Sequence, residues 1–224
     1  QAIGEDEDVP FSDTFDGKGH IISNLVLPEA DGYSGLFAHI GSSGIIQNLH
    51  LTQASTTNPP TSKRIGVIAG NNAGSINNCS VTNSTLRSIE QGIVGAICGV
   101  SFGEIINSYS KENTIYVAKS SYIGGIASYV DNKIINSFSY KNNFITSNNS
   151  NIIGSTASHS VRDSMFYIRN CYIYQNSAYW YNAIGSTNKA SIRSFYYNKG
   201  ELTGGALNTT PQNVEKYDAD FKFE

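Results

Sequence analysis

The chain's chemistry-bearing residues are few and far apart. Between Gly32 and Gly200 the acids are Glu90, Glu104, Glu112, Asp131 and Asp163. A polysaccharide lyase or glycosidase needs carboxylates converging on one face, with a second carboxylate, a Lys/Arg or calcium as partner. Glu104 and Asp131 are the mid-chain acids that fall near one phase of a repeat described below. Glu104 also aligns with Lys133, which predicts an exposed ion pair worth about 0–1 kcal/mol. The run Glu5-Asp6-Glu7-Asp8 is unpatterned and reads as a solvated turn. His20, His39, His50 and His159 lack metal-ligand spacing. Cys79, Cys98 and Cys171 read as free, buried thiols acting as small hydrophobes. No catalytic residue, metal ligand or cofactor is therefore expected, and the chain is read as a non-enzyme. The aromatic residues concentrate late: Phe166, Tyr167, Tyr172, Tyr174, Tyr179, Trp180, Tyr181, Phe195, Tyr196 and Tyr197. Exposed Tyr and Trp can anchor a sugar or a protein partner. Of these, Tyr172, Tyr174, Tyr179, Trp180, Tyr181, Tyr196 and Tyr197 are the candidate ligand-binding set. Adjacent Tyr179-Trp180-Tyr181 cannot all point inward on a strand, because faces alternate. The competing role for them is to plug the last coil of a repeat array.

The positioning scaffold is legible as a repeat. An Asn recurs at 24, 48, 78, 107, 136 and 170, in steps of 24, 30, 29, 29 and 34. Its local pattern is Ile-x-Asn followed by a small or apolar residue: Ile46-Gln47-Asn48-Leu49, Ile76-Asn77-Asn78-Cys79, Ile105-Ile106-Asn107-Ser108, Ile134-Ile135-Asn136-Ser137 and Ile168-Arg169-Asn170-Cys171. Ile22-Ser23-Asn24-Leu25 is a weaker copy. A Gly-containing run leads each middle unit, as in Ile65-Gly66-Val67-Ile68-Ala69-Gly70, Val94-Gly95-Ala96-Ile97-Cys98-Gly99 and Ile123-Gly124-Gly125-Ile126-Ala127. These runs have strand length, and patterns such as Ser80–Leu86 have period 2 rather than 3.6. One unit cannot bury its own apolar face, so neighbours must stack. The expectation is an all-β chain: a right-handed parallel β-helix of about seven coils, period about 29, with coils ~4.8 Å apart. It predicts in-register pairing of Ile76–Val81, Ile105–Ser110 and Ile134–Ser139. One domain covers 1–224, with a lead-in coil at 1–32, repeats at 33–200 and a closing segment at 201–224.

Asn24, Asn48, Asn78, Asn107, Asn136 and Asn170 are expected to form a structural ladder. Asn tolerates the left-handed conformation that corners need. An inward amide can also bond backbone groups and the amides of neighbouring coils. The column is accordingly expected to be buried.

The formal charge is −3, with 15% charged residues. Lys and Arg are scattered along the sequence, so no nucleic-acid partner is expected. No apolar stretch reaches membrane-span length, and neither signal peptide nor anchor is legible.

The segment Pro10-Phe11-Ser12-Asp13-Thr14-Phe15-Asp16-Gly17-Lys18-Gly19-His20-Ile21-Ile22-Ser23-Asn24-Leu25 resembles the lead-in to GLUG-motif repeats of bacterial surface proteins. Tyr33-Ser34-Gly35-Leu36-Phe37-Ala38-His39-Ile40 and Ile45–Leu49 follow in that family's order, and Asn78-Cys79 and Asn170-Cys171 keep its Asn-Cys variant. Leu207–Pro211 through Tyr217–Phe221 is similar to the segment that closes such arrays. The resemblance implies a β-helix in large secreted or cell-surface proteins, many of them adhesin-like, others accessory repeats of immunoglobulin A-specific metallopeptidases. It implies no catalytic residues, and the chain has no His-Glu-x-x-His motif. The function expected is a non-catalytic adhesin-like stalk that binds host protein or glycan, monomeric as an isolated domain. The alternatives are a non-catalytic module of a large secreted protease and a polysaccharide-active β-helix enzyme.

Overall fold

The computed structural model describes the backbone of residues 1–198 except 31, 57–63, 90–91, 119–121, 147–151, 161–166, 175–181 and 188–190. From residue 146 onward the side chain of Cys171 alone is described. The closing segment predicted at 201–224 lies outside the described residues.

Every repeat is cut into short strands by residues that bend the backbone. Ser75–Asn77 is followed by Asn78, Ser80–Thr82 by Asn83, and Thr85–Ser88 completes the third side. Asn78 and Asn83 both have φ 51°, the left-handed region that L-residues visit reluctantly. The paired segment Ile76–Val81 is thus two strands meeting at a corner.

Equivalent strands of successive coils pair in parallel. Thr14 pairs with Ile45, Ile45 with Ser75, Ser75 with Glu104 and Glu104 with Lys133. Those four steps are about four turns of a β-solenoid with a period near 29 residues. Register holds as expected across the Asn column, with Ile76↔Ile105↔Ile134 on one side and Val81↔Ser110↔Ser139 on the other. Strands Tyr167–Tyr174 and Ser191–Asn198 continue the same pairing. The seven coils read from the sequence are not confirmed: about four turns are described, and the connections between the strands after residue 146 lie outside the described residues. Among the described residues there is no helix, hence none long and apolar enough to cross a membrane.

The interior is filled by ladders one coil apart. Ile46, Ile76, Ile105 and Ile134 are fully buried, as are Ile65, Val94 and Ile123. Leu86, Ile115 and Phe144 line the third side. Each such side chain contributes about 1.5–3 kcal/mol on burial. The recurring Gly of the leading run has a steric reason. A Cβ at Gly95 would strike the Cys98 carbonyl oxygen, and at Gly124 that of Ala127. The tight turn admits no side chain there.

Candidate interaction surface

The Asn column occupies the corner between the first and second strands of each coil. Asn24, Asn48, Asn78, Asn107 and Asn136 all lie in the left-handed region, at φ 49–58°. Their amides bond from coil to coil. Asn78 Nδ2 donates to Asn48 Oδ1 at 2.7 Å, Asn107 Nδ2 to Asn77 Oδ1 at 3.1 Å, and Asn136 Nδ2 to Asn107 Oδ1 at 3.1 Å. At the N-terminal end Asn48 Nδ2 donates to Asp16 Oδ1 at 3.0 Å. Asp16 also accepts from Gln47 Nε2 and the Lys18 amide, and these bonds, that of Asn48 foremost, hold its carboxyl below the usual range. The expected burial is corrected: Asn24, Asn78 and Asn107 are exposed, Asn48 and Asn136 half-buried. The physical reason is the sign of the bend. A left-handed residue at this corner turns its own side chain outward while the Ile before it points in. Asn170 lies on strand Tyr167–Tyr174, with its side chain outside the described residues.

A second, inward amide ladder was not anticipated. Ala54 N–H donates to Ser84 Oγ at 3.0 Å, and Ser84 N–H to Asn113 Oδ1 at 2.9 Å. Asn113 Nδ2 donates to Val81 O at 3.0 Å and to Asn142 Oδ1 at 2.9 Å. Asn142 Nδ2 reaches Ser110 Oγ and Ser139 Oγ at 2.8 and 2.9 Å. Asn113 and Asn142 are at most 1% exposed. This ladder satisfies the backbone of the next corner, where Gln53, Asn83, Glu112 and Lys141 are left-handed. Its sequence signal is Ser84, Asn113 and Asn142 at 29-residue steps, one position after those corner residues.

Of the mid-chain carboxylates, those of Glu104 and Glu112 are engaged in ion pairs. Glu104 pairs in register with Lys133 and meets it at 2.6 Å, both side chains about one-third exposed. It also accepts from Ser75 Oγ at 3.1 Å. Asp131 follows strand Ala127–Val130 and donates its backbone amide to Ser101 O. His50 has its Nδ1 2.8 Å from Ser80 Oγ, and partial burial lowers its pKa. His39 is buried with its ring 4.2 Å from that of Tyr33. Among the described residues no three His, Cys, Asp or Glu gather around one point. Cys79, Cys98 and Cys171 are free and buried. Desolvation pushes the Cys79 thiol up to about 11 and the Cys98 thiol higher still.

Of the candidate aromatics, Tyr172 and Tyr174 lie on strand Tyr167–Tyr174, and Tyr196 and Tyr197 on Ser191–Asn198. Tyr179, Trp180 and Tyr181 lie outside the described residues. The structure does bring forward an aromatic stack in the two preceding coils. Tyr109 and Phe138 are register partners with ring centroids 4.6 Å apart and planes 2° from parallel. Phe138 is in register with Tyr172, and Tyr172 with Tyr196. Two cations flank the neighbouring position: Lys111 Nζ is 5.7 Å and Lys141 Nζ 5.1 Å from the centroid of Tyr140.

No protein-family profile matches the chain. Over 83 residues it is 37% identical to halomucin of Haloquadratum walsbyi, which is 37% of this chain and 1% of that protein. Over 72 residues it is 38% identical to a "Putative Gly-rich membrane protein" of Evansella cellulosilytica, 32% of this chain and 8% of that one. The chain therefore spans only a small part of the length of these relatives. Among solved structures, a "putative immunoglobulin A1 protease" from Bacteroides ovatus superposes with a TM-score of 0.54 at 18% identity, covering 88% of this chain and 72% of that one. At that identity the likeness is one of fold: this chain is a parallel β-solenoid of the architecture found in the Bacteroides ovatus protein.

Proposed function

We propose that the chain is a non-catalytic display segment of a large secreted or cell-surface protein, related to the GLUG-motif repeats. In this reading its outer faces carry adhesion to a host protein or glycan. The observation that carries the reading is the division of labour within each coil. Inward positions repeat as Ile, Val and Leu ladders, while outward positions of equal register change from coil to coil, as in Thr52, Thr82, Lys111 and Tyr140. A stacked scaffold with freely variable outer residues suits display along a rigid axis. The involvement of Glu104 with Lys133 and Ser75 supports a structural role for the carboxylate best placed for chemistry. The small share of each relative that the chain covers supports a segment of a longer protein.

The test has two arms. Incubation with pectin, alginate and glycosaminoglycans should release no unsaturated or reducing ends, and sustained turnover would overturn the non-enzyme reading in favour of a polysaccharide-active β-helix. Attachment to mucin-coated or host-cell surfaces should be measurable. If Tyr179→Ala with Tyr181→Ala leaves it unchanged and quenchers fail to reach Trp180, those aromatics cap the coil end and adhesion lies elsewhere. A protease-module role takes its motive from the family resemblance. A zinc-peptidase motif elsewhere in the same open reading frame would favour it.

A further inference from the structure

The net charge of −3 conceals a separation of sign along the solenoid. Residues 1–32 carry eight Asp/Glu against Lys18, a formal −7. Between Gly32 and Gly200 there are twelve Lys/Arg against five Asp/Glu, a formal +7. The acids pack the lead-in coil; the array itself is cationic. Folding gathers part of this charge along the second strand of each coil. There Lys111 and Lys141 flank Tyr140, on the strands that carry the Tyr109–Phe138 stack. Glu112 is 3.9 Å from Lys111, and across the Asn corner Glu104 is held by Lys133. Arg169 and Arg193 occupy the register position of Ile135 in the following strands.

Ring orientation narrows the ligand class. Tyr109 and Phe138 stack along the solenoid axis, so each turns its face to the other and its edge to solvent. An aromatic edge is the positive part of the quadrupole, and the negative face is what stacks on the apolar side of a neutral sugar. The stack therefore withholds the two faces turned to each other and offers edges that suit anions. Lys111 and Lys141 add two ammonium groups on the same strip.

We infer that the outer face of strands Tyr109–Lys111 and Phe138–Tyr140 binds an acidic polysaccharide laid along the solenoid axis, its carboxylates or sulfates taken by Lys111, Lys141 and the edges of the ring stack. This rests on the display reading and names its ligand. Register neighbours lie ~4.8 Å apart, so an extended polyanion running along the axis spans Lys111, Lys141 and the ring stack, and Tyr172 and Tyr196 stand at the next register positions after Phe138.

The full chain is tested for binding to heparin, polyguluronate and neutral dextran at low and high salt. Heparin and polyguluronate bind and salt weakens both; dextran does not bind. Lys111→Glu with Lys141→Glu weakens binding roughly tenfold, whereas Lys18→Glu on the acidic lead-in leaves it unchanged. Tyr109→Ser with Phe138→Ser also weakens it, with far-UV circular dichroism checking that the coils persist. The inference is overturned if dextran binds equally, if the double Lys reversal changes nothing, or if poly-glutamate and duplex DNA bind as tightly as the glycans. If no polyanion binds while the chain still attaches to mucin-coated surfaces, the ligand assignment falls and the display reading stands. Turnover of a glycan would overturn the display reading alone.

Discussion

Replacing Asn113 by Leu should be among the most costly single changes in the solenoid, although both side chains share the same branched heavy-atom skeleton. The Asn113 amide accepts from Ser84 N–H and donates to Val81 O and Asn142 Oδ1, at 2.9, 3.0 and 2.9 Å, in a fully buried corner. Leucine leaves the Ser84 N–H without its acceptor and removes a donor from Val81 O. Each buried orphan costs about 1–3 kcal/mol, so a net loss of about 2–4 kcal/mol is expected after part is recovered by apolar packing. In a domain of this size that corresponds to a melting temperature lower by about 5–12 °C. The comparison that gives the number meaning is Asn107→Leu. That side chain is exposed, so its change costs the left-handed strain of a Leu, about 1–2 kcal/mol, and little more. Asn107→Gly should recover most of that, because Gly adopts the conformation freely. Thermal and urea unfolding followed by circular dichroism measures all three. If Asn107→Leu costs as much as Asn113→Leu, or if Asn113→Leu melts with the parent, the inward and outward assignments of the two amide columns are wrong.

Gly95→Ala should destabilise by several kcal/mol because its Cβ meets the Cys98 carbonyl, and a melt indistinguishable from the parent would show that the turn relaxes. The three cysteines should react with a thiol reagent at mildly alkaline pH only after denaturation; rapid labelling of native Cys79 or Cys98 would contradict their burial and raised pKa values. Asp16 titrates below its ordinary value in the folded chain, so its contribution to stability is present above its unfolded pKa near 3.9 and is lost as pH falls through the lower folded value. Asp16→Asn should remove that part of the acid dependence, and an unchanged acid-unfolding curve would count against the Asn48–Asp16 link.

The period, the all-β class and the parallel register were legible without coordinates, because stacking repeats imposes a spacing that Ile46, Ile76, Ile105 and Ile134 must obey. The Glu104–Lys133 pair and the buried thiols followed from the same alignment of coils. Which way the Asn column points was not legible. Asn is suited both to an inward amide ladder and to an exposed left-handed corner, and the direction of each bend is decided by how three strands close around the core. Asn113 and Asn142, which line the interior, sit one residue past residues as different as Glu112 and Lys141, so the lack of sequence similarity at the corner conceals them. The Tyr109–Phe138 stack and the lysines around Tyr140 are likewise a product of tertiary structure. They are 29 or 30 residues apart along the chain and neighbours across one hydrogen-bonded step, so charge that looks scattered in sequence becomes a strip on one face.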